Sequence, residues 1–493
     1  MLKPNTCFHL LAFFAAILLY FIIQPYNLGF TPDSMDYLEV ANSIESGNGI
    51  TNIKGQIVNH WPPLFSLLLA LISKITNSGV IYAGSILQMF LFYAFILFYS
   101  LVLRELKINF KLIIFSGILL VVSQVSINFS YFLSEGLFLV LLLVSFYLFL
   151  KWLPDKKFKH LFWSAFLCGL FFLTRYAGIA FIACYLFFIL FFQDGKLNER
   201  VRNFLLFLGL IVLVISPWFI YQSAFEENLG GRKLAIHIIP FSKILDFFIT
   251  VSYWFLGSAL AIFLLICLVV IYVVKIKKSE IQFEVLIKKI YKRYQKAILL
   301  SFLFILIYPL FLIVSISFYD SYTPMDNRIL SPLFIFILLF ITFFLQTLKE
   351  HRQMLLLNGT ILFLFLSFSS SVFPIYQNHY KNGSGYTKKK WAESQTLNYI
   401  KEKNSDIITY TNGIEIGKLH AQQDFYLLPR LSENLLIEKM KEEVSMGEAQ
   451  IVYLKEVNWR NYLVSENELL EIFKENDVLR FEDGFIIRAF ISE

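Results

Sequence analysis

The chain has 493 residues, of which 57% are hydrophobic and only 16% charged, with 55 phenylalanines; an average soluble domain carries about 25% charged residues. That balance excludes a water-soluble fold. The net charge of +7 is distributed so unevenly that it reports membrane topology, and no nucleic-acid partner is expected.

A bilayer core of about 30 Å needs about 20 mostly apolar residues in a spanning helix. Such runs recur near 8–24, 80–103, 111–128, 133–150, 161–175, 177–193, 204–222, 252–274, 297–317, 329–347 and 354–374, so about 11 transmembrane helices are expected. Residues 1–24 hold one Lys and no small-residue cleavage site, which reads as a retained first span. The two short runs at 161–175 and 177–193 form a hairpin turning at Thr174-Arg175-Tyr176. Residues 62–76 open on Pro62-Pro63 and are too short to span, which suits an interfacial or re-entrant helix. Cys7, Cys168, Cys184 and Cys267 lie in or beside apolar runs with no metal-binding spacing, so neither disulfides nor a cysteine metal site is expected.

With Met1 in the cytoplasm, the segments falling inside hold 21 basic residues. Those falling outside hold six, namely Lys54, Arg175, Arg232, Lys233, Lys243 and Arg328. Positive residues near spans stay cytoplasmic. The expectation is a multi-pass plasma (inner) membrane protein, N-terminus in and C-terminus out, with the basic 275–296 segment against anionic lipid headgroups.

After Pro374 the composition changes: residues 375–493 carry 15 Lys/Arg and 19 Asp/Glu and no run long enough to span. Helical stretches near 388–402, 432–445 and 466–476 alternate with β-rich runs at Ile407–Thr411, Gln450–Leu454, Val478–Phe481 and Phe485–Phe490. The chain thus reads as a transmembrane domain at 1–374 and a small extracytoplasmic α/β domain at 375–493, joined through Tyr376–Tyr386.

Ionisable residues at membrane depth are costly and therefore candidate site residues. Asp33 and Asp36, in Thr31-Pro32-Asp33-Ser34-Met35-Asp36-Tyr37, share a face if a helix starts at Asp33. Either one is poised to act as general base, or the pair is a helix cap with a second acid in the first turn. Glu135 follows Ser134 at a span start, which equally describes an interfacial helix start. Arg175 and Arg328 suit a lipid-linked phosphate gripped bidentately, or snorkel to headgroups. His60, beside Trp61, is an interfacial anchor or a secondary site residue. No Walker loop, HExxH, GxSxG or nucleotide-binding αβ unit is present, so ATP hydrolysis and a cytosolic nucleotide-sugar site lack support.

These residues together resemble the membrane glycosyltransferases of the GT-C superfold, the ArnT-like and protein-mannosyltransferase-like enzymes. Asp33-Ser34-Met35-Asp36-Tyr37 is similar to the family's acidic first loop, with Asp33 at its catalytic position. Ser34 stands where many members have a second acid, leaving Asp36 either its substitute or structural. Pro62-Pro63-Leu64-Phe65, Leu133-Ser134-Glu135-Gly136, Leu173-Thr174-Arg175 and Arg328-Ile329-Leu330-Ser331-Pro332 resemble further family segments, and Gly383-Ser384-Gly385-Tyr386 with Trp391 and Ser394 is similar to the tails of bacterial relatives. The resemblance implies transfer of a hexosyl or pentosyl group from a polyprenyl-phosphate donor to a lipid, glycan or protein acceptor, with inversion. Asp33 would be catalytic, with Asp36, Tyr37, His60, Glu135, Arg175 and Arg328 binding substrate. Some relatives need a divalent cation, which Asp33, Asp36 or Glu135 could hold, though no residue pattern here requires a metal. The alternatives are a carrier or flippase of lipid-linked glycans, or an assembly subunit docking through its tail.

Overall fold

The computed structural model describes residues 3–52, 55–224, 235–277, 283–403, 407–421, 423–474 and 477–488. Lys54, Arg232 and Lys233, part of the basic 275–296 segment and the last residues of the two final tail elements therefore lie outside the described residues. The chain divides into two compact units, residues 1–22 with 36–377 and residues 23–35 with 378–493.

The first unit is helical. In chain order it holds α1 (Pro4–Ile23), α2 (Pro32–Glu45), α3 (Leu64–Thr76), α4 (Val80–Glu105), α5 (Phe110–Val121), a 3-10 helix (Gln124–Ser130), α6 (Glu135–Asp155), α7 (Phe158–Phe172), α8 (Gly178–Phe192), α9 (Leu197–Ser223), α10 (Phe241–Leu256), α11 (Ala259–Lys277), α12 (Phe283–Phe318), α13 (Asn327–Glu350) and α14 (Met354–Asn382). Among the described residues seven helices are long and apolar enough to cross a membrane, and nine spans result if two bent pairs each count as one. The shorter α7 and α8 make the expected hairpin, and α3 is the expected short helix after Pro62-Pro63.

Two expected spans are broken. The 111–128 run bends by 57° between α5 and the 3-10 helix, where Ser123 Oγ donates back to Leu120 O (2.8 Å). The 252–274 run bends by 78° at Gly257-Ser258, where α10 ends and Ser258 Oγ accepts from Ala261 N (3.2 Å) to cap α11. Serine hydroxyls satisfy the backbone groups that each break releases, which is what makes a break tolerable in apolar surroundings.

In lipid the helices gain little from the hydrophobic effect and associate by close packing. Rings from four helices interlock, with Phe304 to Phe336 at 4.7 Å, Phe181 to Phe304 at 5.2 Å and Phe146 to Phe336 at 5.4 Å. Phe13, Phe21, Phe90, Leu213 and Phe263 are exposed, as a lipid-facing surface requires. The start of α6 is packed especially tightly: a Cβ on Gly136 would lie 2.6 Å from Gln88 Oε1 and 3.0 Å from Phe129 Cδ1. Gln88 in turn donates to Leu133 O (2.6 Å).

Contacts join several of the basic segments of this unit. Arg104 binds Asn5, Asn109 N donates to Gln346 Oε1 (2.9 Å), Lys296 pairs with Asp194 and Arg293 with Glu350.

The second unit is α/β, with α15 (Lys389–Ala392), α16 (Gln395–Lys403), β1 (Ile408–Thr411), α17 (Ile414–Ala421), β2 (Tyr426–Leu427), α18 (Asn434–Ser445), β3 (Ala449–Leu454), α19 (Glu466–Ile472), β4 (Asp477–Arg480) and β5 (Gly484–Arg488). The strand order is β2-β1-β3-β5-β4, parallel at β2/β1/β3 and antiparallel at β3/β5/β4. β3 is buried on both faces, and its Ile451 packs with Met440, Val444, Leu469, Phe473, Phe485 and Ile487 in one core. A reciprocal Ser465/Glu468 capping box starts α19. The helix expected at 388–402 is interrupted at Glu393-Ser394, because Ser394 turns to donate to Asp483 and accept from Leu397 N (3.1 Å).

His420, on α17, approaches Tyr386 O through Nε2 (2.7 Å), so the neutral ring donates there. Burial lowers its pKa, with the Tyr386 bond opposing and Lys401 adding. A folded-state pKa below the unfolded value of about 6.5 means the contribution is complete above that pH and is lost as pH falls through the folded value. Melting of the wild type and His420→Gln in detergent at pH 8 and pH 5 should therefore converge at the lower pH. Gly136→Ala forces α6 off Gln88 and Phe129 and should destabilise the membrane unit by about 1–3 kcal/mol, measured by steric trapping.

Candidate active site

Three charged side chains from distant parts of the chain meet in the membrane unit. Glu135 stands in the first turn of α6, where the N-terminal end of the helix dipole favours a carboxylate. Its Oε1 lies 2.7 Å from Arg175 Nη1 and 3.2 Å from Arg328 Nε, and the side chain is only 3% exposed. The three together carry one net positive charge. Buried charge is tolerable only when paired, and this geometry meets that condition at a carboxylate that would otherwise be strongly destabilising.

Each arginine is held by its surroundings. The turn bearing Arg175 is closed by Arg175 N to Phe171 O (3.0 Å) and Gly178 N to Arg175 O (2.9 Å), and is tied to α3 by Leu64 N to Leu173 O (3.0 Å). Arg328 is the second residue of α13, capped by Asp326, which accepts from Ile329 N (3.0 Å). Its neighbour Asn327 accepts from Trp254 Nε1 (2.7 Å) and donates to Gln124 O (2.9 Å).

A second group adjoins the first through Ser134. The Ser134 hydroxyl is 2.9 Å from the Tyr37 hydroxyl and accepts from Arg175 Nη1 at 3.4 Å. Tyr37 is buried edge-on against Phe65 (5.0 Å) and near Trp61 (5.9 Å). Trp61 Nε1 donates to Asp36 Oδ2 (3.2 Å), and Asp36, Tyr37 and Trp61 line one small pocket with Pro62 and Pro63. His60 packs edge-on against Trp61 at 4.7 Å. The structure thus unites Asp36, Tyr37, His60, Glu135, Arg175 and Arg328.

Asp33 belongs to the other unit, together with residues 23–35 and the α/β domain. It lies in the first turn of α2, whose start is closed by Thr31 N donating to Ser34 Oγ (3.0 Å) and Ser34 N to Thr31 O (3.0 Å). Ser34, which stands where the resembled enzymes often have a second acid, is therefore an element of the helix start. Burial first, then Glu415, with Asp33 also contributing and Arg460 opposing, pushes the Tyr386 phenol up to about 12.

Residue-type reasoning passed over Ser134, Trp61 and Tyr176. Tyr176 is a small hub, donating to Asn59 O (2.9 Å) and accepting from Trp218 Nε1 (3.0 Å) and Gln222 Nε2 (3.3 Å). Its position directly after Arg175 in an apolar hairpin was the available signal. Among the described residues no group of three His, Cys, Asp or Glu side chains could hold a metal ion. With two guanidinium groups beside its carboxylate, Glu135 does not fit a divalent cation.

The family model for dolichyl-phosphate-mannose-protein mannosyltransferases matches residues 60–221, which include His60, Glu135 and Arg175. No curated protein matches the chain in sequence. Among solved structures, ArnT from Cupriavidus metallidurans in the apo state is similar with a TM-score of 0.62 at 12% identity, over 97% of each chain. The same protein bound to undecaprenyl phosphate gives 0.62 and 12% over 98% of each. The oligosaccharyltransferase AglB from Archaeoglobus fulgidus, in complex with an inhibitory peptide and a dolichol-phosphate, gives 0.50 and 12% over 98% of this chain and 74% of that one. The chain is thus a multi-pass membrane protein with the fold of ArnT, and its residues 60–221 match the dolichyl-phosphate-mannose-protein mannosyltransferase family model.

Proposed function

We propose that this protein transfers a hexosyl or pentosyl group from a polyprenyl-phosphate donor to a lipid, glycan or protein acceptor on the extracytoplasmic side of the plasma (inner) membrane, its N-terminus cytoplasmic. The observation carrying the proposal is the pair of guanidinium groups assembled on the buried Glu135. Arginine forks match phosphate oxygens bidentately, and in a low-dielectric site such bonds strengthen as negative charge builds on the leaving oxygen. The structural likeness to ArnT bound to undecaprenyl phosphate supports the same class of donor.

In the reaction the acceptor oxygen or nitrogen attacks the anomeric carbon, the bond from that carbon to the phosphate oxygen breaks, and polyprenyl phosphate leaves carrying the electron pair. The acceptor proton passes to Asp33, and attack opposite the leaving group inverts the anomeric centre. Arg175 and Arg328 hold the departing phosphate. Asp36, Tyr37 and His60 shape the neighbouring wall of the substrate site.

A carrier of lipid-linked glycans is the second reading, favoured by the two bent helix pairs, since carriers use interrupted helices at their binding sites. Carriage needs phosphate binding but no base, which separates the two.

Purified protein in detergent, given undecaprenyl-phosphate-linked hexoses and pentoses with a membrane extract as acceptor, should consume at least one donor. Asp33→Asn should lower that rate about 10²-fold to 10⁴-fold with insertion unchanged; full activity of this variant would remove Asp33 from the mechanism. Arg175→Ala and Arg328→Ala should each weaken binding of undecaprenyl phosphate about 10-fold to 100-fold by native mass spectrometry, with Arg→Lys only partly restoring it.

A further inference from the structure

The segment between α1 and Asp33 is built into the α/β unit. Phe30 forms a parallel bridge with Gly385, and Tyr386 N donates to Phe30 O (2.9 Å). Thr387 Oγ1 donates to Leu28 O (2.8 Å). Leu28, Phe30 and Ser34 are completely buried, and Met35 nearly so.

The approach is closer than any side chain on residue 385 would permit. Gly385 has φ +58°, and a Cβ there would lie 1.9 Å from Phe30 O. Glycine is required both for the left-handed backbone and for the space. Behind this contact stands a second layer, since His420 on α17 donates to Tyr386 O (2.7 Å) and so holds, from its other side, the residue whose N–H grips Phe30. The path from the α/β fold to the start of α2 is therefore short: His420, Tyr386, Phe30, then Thr31 and Ser34 closing the first turn that carries Asp33.

We infer that the C-terminal unit is a positioning element of the catalytic centre, in which Gly385, Tyr386 and Thr387 clamp residues 28–30 and thereby fix the carboxylate of Asp33. This rests on the role proposed above for Asp33. The clamp acts through backbone contacts, so Gly385 and Thr387 are positioning residues that touch neither donor nor acceptor. A base must stay within hydrogen-bond reach of the proton it takes, and misplacement by 1 Å costs on the order of 10²-fold in rate. The clamp supplies that tolerance at the end of a loop that would otherwise hang from α1.

The test uses the full chain in detergent and three measurements: donor turnover with the undecaprenyl-phosphate sugar consumed by wild type, affinity for undecaprenyl phosphate, and hydrogen exchange of the amides between residues 26 and 34. Gly385→Ala should lower kcat about 10²-fold, leave undecaprenyl phosphate binding within twofold, and speed exchange in that segment while β1, β3 and β5 stay protected. Thr387→Val, which removes the hydroxyl that reaches Leu28 O and Ser384 O (2.8 Å each) without adding bulk, should lower kcat about threefold to tenfold, and Thr387→Ser should restore it. If Gly385→Ala also deprotects the three strands, the decision rests on Thr387→Val. Faster exchange at 26–34 with unchanged kcat overturns the inference, as does unchanged exchange in both variants. A wild type that consumes no donor overturns instead the glycosyltransferase reading.

Discussion

Burying a carboxyl group at Glu135 forces a solution on the rest of the membrane unit. The residue is almost inaccessible, and compensation comes from Arg175 in the α7–α8 turn and Arg328 at the start of α13. Three elements distant in sequence must therefore end at one point, and their surroundings are arranged accordingly. Asp326 caps α13, Trp254 and Gln124 hold Asn327, and the Arg175 turn is tied to α3. Removing one member of such a cluster leaves buried charge behind, at a typical cost of about 3–5 kcal/mol. The energetic demand and the chemical opportunity coincide, because the same two guanidinium groups suit a phosphate.

Much of the membrane architecture was legible because its signal is length. A run of about 20 apolar residues has few soluble meanings, and α1, α4, α6, α9, α13 and α14 lie where such runs were read. The hairpin of α7 and α8 was equally visible from the arginine in its middle. Hydropathy is blind to direction, however, so the bends at Val122-Ser123 and Gly257-Ser258 could not be seen as bends. In the α/β unit the longer strands announced themselves by β-branched runs, whereas β2, only two residues long, has no pattern to detect. α17 was missed because it is short and Gly417 sits within it.

The candidate site divided in the same way. Scarcity of charge in apolar runs singled out Glu135, Arg175 and Arg328, and they meet. The partners that orient them are neutral: Ser134 linking Tyr37 to Arg175, Trp61 on Asp36, and Tyr176 between the Asn59 loop and α9. Serines, tyrosines and tryptophans are common in membrane helices for packing and anchoring, so type alone carries little information. Asp33 was found by its place in a loop, but its membership in the α/β unit depends on backbone contacts that side-chain identity does not encode.

The contact between Leu28 and Thr387 joins residues 359 positions apart. At synthesis rates of about 5–20 residues per second, the ribosome needs on the order of 20–70 s to supply the second partner after the first has emerged. For that interval Leu28 and Phe30 lack the backbone partners that residues 385–387 supply. A chain halted before residue 383 therefore has its membrane helices but lacks Gly385, Tyr386 and Thr387, the partners of Leu28 and Phe30.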